Sequence, residues 1–319
     1  MGKKKGRKKH AKKSQKARAR LLEEQASTPV GEGGATGESV RGLLRLPGGP
    51  VTLADLDPRA TPGFLGDKAA GKAALATMDG SLSDWQERLF AEGRATGSTR
   101  RVLVVLQGMD TAGKGGVLRH AVALVDPQGV AIRSFTAPTP EERRHDFLWR
   151  IRRAVPGPGM LGVFDRSHYE DVLVARVREL TTASAITRRY DAINRFEQEL
   201  ADNGVTLLKC MLHISPEEQR QRLAARLANP QKHWKFDPGD IDDRSRWHDY
   251  EKAYEVALER CHTDAAPWYV VPSDRKWYRN WAVATMLRET LVELDPQWPV
   301  ADFDVDEQRR RLAEEDPFR

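Results

Sequence analysis

Cysteine is nearly missing from this 319-residue sequence. Cys210 and Cys261 are the only two, and they lack the spacing of a metal site, so neither a disulfide framework nor thiolate chemistry is expected and both read as buried residues. Long apolar runs are missing as well. The longest are strand-sized, far short of the ~20 residues that span a bilayer, and no apolar segment follows the basic N-terminus. A cytoplasmic protein with no membrane partner is the expectation. Acids are absent from residues 1–20, MGKKKGRKKHAKKSQKARAR, which hold 11 Lys or Arg. The remaining chain carries 41 bases against 46 acids, so the formal charge of +6 belongs to a tail and not to the body. Together with GEGGATGES this run repels itself and is expected to be a disordered tail and linker over 1–40. Two readings of it stay open: a solvated tail, or an arm that attracts polyanions, nucleic acid among them. Also missing are a Ser-His-Asp set, a cluster of metal-binding histidines and a G-x-G-x-x-G fingerprint behind a strand.

What is present is a globular composition, 39% hydrophobic and 31% charged, long enough to bury a sizeable core. From Val40 to Arg101 turn signals precede a helical stretch, GKAALATMDGSLSDWQERLFAEG, whose Leu75, Leu82, Trp85, Leu89 and Phe90 form an apolar stripe. Beyond Arg101 strand and helix signals alternate. VLVVL, GVAIRSF, MLGVF, VTLLKCMLHI and WYVV read as strands. EERRHDFLWRIRRAV, SHYEDVLVARVREL, ITRRYDAINRFEQELADN, EEQRQRLAARL and DRKWYRNWAVATMLRETLVEL read as helices. Thr139 with Glu142, and Ser215 with Glu218, give two capping boxes with Pro at the first helical position. Such alternation predicts an α/β fold, a parallel sheet with helices on both faces, occupying 41–304 ahead of a C-terminal tail, 305–319.

The stretch GMDTAGKGG follows the strand VLVVL and opens a helix, the setting of a phosphate-binding loop. Its residues Gly108, Met109, Asp110, Thr111, Ala112, Gly113, Lys114, Gly115 and Gly116 are expected to wrap phosphate, with Lys114 supplying a full charge. Gly115 stands where a Ser or Thr usually holds Mg²⁺. Carboxylates are expected to take over that role: Asp110 in the loop and Asp165 at the end of the strand GVF, joined by one of Glu170 and Asp171, which point about 100° apart on a helix. Asp110, Asp165 and Asp171 are therefore the expected metal ligands, for Mg²⁺ or its relative Mn²⁺. Arg166 is the expected phosphate clamp; His168 and Tyr169 are weaker candidates. Arg133 on the second strand is a further candidate for phosphate or nucleotide contact. A second basic cluster, Arg226, Lys232, Lys235, Arg244 and Arg246, lies at about 226–250 and reads equally as a lid over phosphates or as a lattice of surface ion pairs with its interleaved aspartates. Trp247, Tyr250 and Tyr254 behind it read as a packing stripe. Trp277, Tyr278 and Arg279 are candidates for nucleotide contact because they follow the last strand.

Phosphoryl transfer needs mainly positioning and charge neutralisation, and an acceptor that is itself a phosphate needs no strong base. The residues alone thus fit a kinase acting on a phosphate group, with the donor open. An ATP-dependent nucleotide kinase and a nucleic-acid-binding protein working through its tail both remain alternatives.

Five blocks in order, GMDTAGKGG, SFTAPTPEERRHDFLWRI, VFDRSHYEDVLVARV, LLKCMLHISPEEQRQRLAARLANPQKHWKF and APWYVVPSDRKWYRNWAV, resemble the polyphosphate kinase 2 family from about Val51 to Asp304. The resemblance implies a P-loop kinase fold with a helical lid and reversible Mg²⁺-dependent phosphoryl transfer between inorganic polyphosphate and adenine, or guanine, nucleotides. It implies Walker A roles for Asp110 and Lys114, a Walker B role for Asp165, phosphate contact by Arg166, lid contacts near Lys232 and Lys235, and a homodimer or homotetramer. SHYED and KHWKF are similar to the class III branch, which phosphorylates both AMP and ADP; GKGG and Asp165 are similar to class I. AMP against ADP, and the favoured direction, stay open on these residues.

Overall fold

The computed structural model describes residues 34–315, so the expectation for the basic run 1–20 lies outside the described residues. Five strands form one all-parallel sheet in the order β2-β3-β1-β4-β5: β1 Arg101–Gln107, β2 Val130–Ser134, β3 Leu161–Asp165, β4 Val205–His213 and β5 Trp268–Pro272. The helices are α1 Val40–Leu44, α2 Lys68–Ala76, α3 Asp79–Ala95, α4 Lys114–His120, α5 Trp149–Arg152 and α6 Val174–Val177. They continue with α7 Ala183–Asp202, α8 Pro216–Leu227, α9 Gly239–Ser245, α10 Trp247–Arg260, α11 Lys276–Leu294 and α12 Val305–Glu314.

The period of two along a strand sorts the core into two layers. Val102, Val104 and Leu106 of β1 face one cluster, which gathers α3, α4 and α11; Leu103 and Val105 face the other, which gathers α7 and α10. The inner strands β3, β1 and β4 and the edge strand β5 read as apolar because the sheet is covered on both faces there, whereas on the edge strand β2 Ile132, Arg133 and Ser134 are exposed. Leu82 and Leu89 are fully buried, and Trp281 packs edge-on to Phe64 at 4.8 Å. The apolar faces around 75–90 and 277–294 therefore serve the core: α3 and α11 pack together.

The ends of the body differ from the expected boundaries. Ala35 bridges Phe64, and Glu289 accepts from the N–H groups of Val40 and Arg41 at 2.8 and 2.9 Å, which ties the chain down ahead of residue 41. Residues 305–314 form a helix capped by Asp304, with no buried residue.

Two expected helices are interrupted. Within EERRHDFLWRIRRAV the box at Thr139 and Glu142 forms reciprocally, at 2.9 and 3.2 Å, yet it starts a single 3₁₀ turn. The Asp146 carboxylate then accepts from Leu148 N–H at 2.9 Å and restarts the chain as the four-residue α5. Within SHYEDVLVARVREL, Ser167 caps a 3₁₀ turn over His168–Asp171, and the Asp171 carbonyl accepts from Arg189 at 2.7 Å instead of extending a helix. At α8 only half the expected box forms. Ser215 Oγ accepts from Glu218 N–H at 3.1 Å, but the Glu218 carboxylate turns to Arg222 at 2.7 Å and Ser215 N–H donates to Asp274 at 2.8 Å. The expected single helix across 71–93 is split at Thr77 and Met78 into α2 and α3. Among the described residues no helix is long and apolar enough to cross a membrane.

Candidate active site

β1 lies at the centre of the sheet, and the chain turns from its carboxyl end into the loop 108–113, where α/β sheets hold ligands. Gly108 at φ 152° and Gly113 at φ 112° make that turn, helped by Thr111 in the left-handed region at φ 65°. A Cβ on Gly108 would sit 2.7 Å from the Leu212 carbonyl, and one on Gly113 only 1.7 Å from Arg279 Nη1. Gly115 meets nothing within 4 Å, so its lack of a side chain is not a steric demand.

Three side chains the sequence did not single out, or placed elsewhere, clasp the outside of the loop. Arg222 of α8 donates to the carbonyls of Thr111 at 2.8 Å and Ala112 at 3.1 Å, and with its other nitrogen to Ser273 and Asp274 at 2.6 and 3.0 Å. Gln219, one turn earlier, donates to the Asp110 carbonyl at 3.1 Å and accepts from Arg244 at 3.0 Å. Arg279, expected near nucleotide, instead donates to the Ala112 carbonyl at 3.0 Å from beneath the loop. Its burial, and the neighbouring Arg222 charge, push its pKa down. With outward carbonyls held this way, the loop N–H groups not used inside the fold are left for a ligand; Ala112 N–H donates to the Met109 carbonyl at 3.0 Å and Gly116 N–H to the Gly113 carbonyl at 2.8 Å. The available signal was that Gln219, Arg222 and Arg226 share one face of α8 at spacings of three and four, a polar stripe that the fold turns inward, with Gln219 and Arg222 buried. Tyr254 also exceeds its expected packing role: its hydroxyl accepts from Gly108 N–H at 3.1 Å.

Lys114, the first residue of α4, points back across the loop and donates to the Gly108 carbonyl at 2.7 Å. Burial lowers its pKa, and the charges of Asp110, Asp165 and Glu170 act against that. Asp165 ends β3 opposite Leu106 in the β1 register, so strand pairing delivers it to the mouth of the loop. Arg166 follows in the left-handed region at φ 64°, its N–H tied to the Leu106 carbonyl at 3.1 Å, and its guanidinium lies 3.2 Å from Asp110. Glu170 is half-buried beside it. Burial raises its pKa, while Arg166, Lys114 and Gln107, whose amide satisfies both its ends when its nitrogen is turned to donate to Glu170 Oε1 at 3.1 Å, favour the carboxylate.

Asp110, Lys114, Asp165, Arg166 and Glu170 are thus gathered as one electrostatic group. Asp171 lines the same cavity but faces arginines: Arg150 and Arg189 each lie 3.7 Å away. Arg133 is exposed on the edge strand β2 and is not in that cavity's lining. Lys232 and Lys235 are exposed on a 3₁₀ segment, Pro230–Lys235, with no carboxylate in ion-pair range among the described residues. Within 226–250 Arg226 pairs with Asp240 at 3.2 Å, and Arg178 from outside the segment pairs with Asp243 at 2.8 Å, the ion pairs of the lattice reading. His168 and Tyr169 are fully buried, bound to Glu197 at 3.2 and 2.8 Å, which removes them from substrate contact.

Above the loop lies a cavity of about 660 Å³ walled by Arg143, Arg150, Arg166, Arg178 and Arg189 along with Trp247, Tyr250 and Tyr254. An arginine-lined hollow over a glycine loop suits a polyanion. No group of three His, Cys, Asp or Glu side chains stands ready as a metal cage among the described residues. A divalent cation held by one or two carboxylates and completed by substrate phosphates and water needs no such cage.

A parallel sheet in this strand order, a glycine loop with its lysine behind the central strand, and an acid at the end of the neighbouring strand define a P-loop phosphotransferase. The polyphosphate kinase 2 family model matches residues 66–298, and the chain belongs to that family. It is similar to the AMP/ADP-polyphosphate phosphotransferase of Meiothermus ruber, 48% identical over 253 residues that cover 79% of this chain and 93% of the relative. It is also similar to the ADP-polyphosphate phosphotransferase of Rhodopseudomonas palustris, 39% identical over 70% of this chain and 80% of the relative. Among solved structures, polyphosphate kinase 2 from Arthrobacter aurescens TC1 superposes with a TM-score of 0.84 at 51% identity, covering 87% of this chain and 98% of that one.

Proposed function

We propose that the protein is a polyphosphate-dependent nucleotide kinase, transferring the terminal phosphoryl group of inorganic polyphosphate to ADP and AMP, reversibly and with Mg²⁺ or Mn²⁺. The observation that carries it is the convergence of Lys114, Arg166, Asp110, Asp165 and Glu170 at the mouth of the phosphate loop, under a cavity lined with arginine. The relatives' names support the substrates: one acts on AMP and ADP, another on ADP. The ATP-donor and nucleic-acid readings find no support among these relatives.

In this reading the loop N–H groups and the Lys114 ammonium bind phosphate oxygens, and Lys114 exchanges its contact with the Gly108 carbonyl for a ligand oxygen. Arg166 neutralises charge as it shifts between bridging and terminal oxygens. Asp110, Asp165 and Glu170 would hold the cation, which supplies charge neutralisation on the transferring phosphoryl group. Asp171, between Arg150 and Arg189, would act by fixing those cations for substrate instead of ligating metal. The accepting nucleotide phosphate is already anionic near neutral pH, so no base is required. Lys232, Lys235 and Arg244 close from the lid side, and the backbone donors come from the loop between Gly108 and Gly116, from the N–H groups it does not use itself. A cytoplasmic setting and assembly into a dimer or tetramer belong to the same proposal, the latter read by mass in solution.

The test is a chromatographic assay of purified protein with Mg²⁺, long-chain polyphosphate and AMP or ADP, without ATP. ADP or ATP should form only with polyphosphate, and Lys114→Ala and Asp165→Ala should each lower turnover by about 10³-fold or more with the fold kept. Retained turnover in either variant would sink the site assignment.

A further inference from the structure

A second groove, of about 420 Å³, runs along the edge strand β2, and Arg150 lines both it and the main cavity. Arg150 is buried and held in place: it donates to the Thr136 carbonyl at 2.8 Å and lies 3.6 Å from Glu142 and 3.7 Å from Asp171. The groove walls carry two further guanidiniums, Arg133 and Arg153, beside Ile132, Trp149 and Glu142. Its one carboxylate, Glu142, is already engaged, accepting from Thr139 N–H at 2.9 Å and facing Arg150. Arg133 and Arg153 are exposed and have no carboxylate in ion-pair range among the described residues. They rest on aromatic faces instead, Arg133 at 5.9 Å from the Phe135 centroid and Arg153 at 4.8 Å from that of Trp149. Stacking restrains a guanidinium while leaving its fork of donors free for oxyanions.

We propose that this groove is a distal subsite for a linear phosphate polyanion: units of a long chain, beyond those in the main cavity, pass Arg150 and lie against Arg133 and Arg153. This rests on the polyphosphate reading given above. The chemical class is a chain of phosphate groups with one negative charge or more per unit, long enough to occupy both hollows; a short oligophosphate fills the first and never reaches the second. Binding remote from the reacting end, equal in ground and transition states, changes KM and not kcat.

The experiment compares KM and kcat with long-chain polyphosphate and with tripolyphosphate, at saturating nucleotide, for the wild-type protein, Arg153→Ala, Arg153→Glu and the double variant Arg133→Ala/Arg153→Ala. Expected for Arg153→Ala is a rise of about three- to tenfold in KM for the long chain only, larger for Arg153→Glu and for the double variant, with kcat unchanged. The difference between donors should shrink as salt is raised, and Arg153→Lys should recover part of it. Equal changes with both donors, or a fall in kcat with the long-chain KM unchanged, would overturn the subsite. So would a loss that tracks a change of solution mass, which would assign the edge to subunit contact. A wild-type protein silent with both donors would remove the polyphosphate reading and the groove with it, whereas an active enzyme whose Arg153 variants match wild type removes the groove alone.

Discussion

Gly113 and Gly115 flank the same lysine, yet the structure assigns opposite consequences to giving each a side chain. Gly113 sits at φ 112°, and a Cβ there would overlap Arg279 Nη1 at 1.7 Å. The left-handed conformation costs an alanine roughly 1–2 kcal/mol. Pushing Arg279 aside breaks its bond to the Ala112 carbonyl and leaves a buried group unsatisfied, about 1–3 kcal/mol more. Gly113→Ala should therefore lose about 2–5 kcal/mol, which in a domain of this size lowers Tm by about 3–8 °C. Turnover should fall by about 10²-fold at temperatures where the fold persists, because a phosphate loop displaced by ~1 Å misaligns the reacting groups. Gly115→Ser restores the residue most phosphate loops carry, and its Cβ meets nothing within 4 Å. It should leave Tm unchanged or slightly raised, by up to about 0.5 kcal/mol of helix propensity, and keep turnover within severalfold. Thermal unfolding followed by circular dichroism, paired with the polyphosphate assay, reads both. If the two variants lose stability alike, or if Gly113→Ala matches wild type, the steric account of the loop is wrong.

Lys209 is fully buried on β4 and donates to Glu197 at 2.6 Å, to the Tyr169 hydroxyl at 2.8 Å and to the Cys261 carbonyl at 2.7 Å. Glu197→Ala strands that ammonium and should cost about 3–5 kcal/mol, whereas Glu197→Leu with Lys209→Met should recover most of the loss; urea unfolding of the three proteins decides, and a single variant near wild type would refute it. Against the upward pull of burial, Lys209 and His168 hold the Glu197 carboxyl below its usual range. Its contribution is then present above the unfolded pKa of about 4.3 and is lost as pH falls through the lower folded value, an acid-side loss absent from the double variant. Glu170 shifts the other way, raised by burial, so the native protein takes up its proton above the unfolded value. Turnover should decline on the acid side above the ordinary glutamate range, and Glu170→Gln should lower turnover and flatten that limb; an unchanged limb would exclude Glu170 as its source.

The alternation of β and α elements, the strand before GMDTAGKGG and the placement of Lys114 and Asp165 were legible from local pattern, because period and turn chemistry are properties of a few neighbouring residues. The basic charge of the first 20 residues was likewise fixed by composition. Tertiary structure decided whatever depends on partners far apart in sequence. Strand register put Asp165 opposite Leu106, and packing set Asp171 between Arg150 and Arg189, each 3.7 Å away. Asp146 and Arg189 competed for backbone groups and broke two helices that periodicity had predicted. Arg222, Gln219 and Arg279 emerged as the clasp of the phosphate loop only once α8 and α11 were packed against it. A one-dimensional sequence shows that a side chain is charged and which helix face carries it. Which carbonyl or carboxylate neutralises that charge is set by packing, since a guanidinium bond to a loop more than a hundred residues away leaves no local pattern.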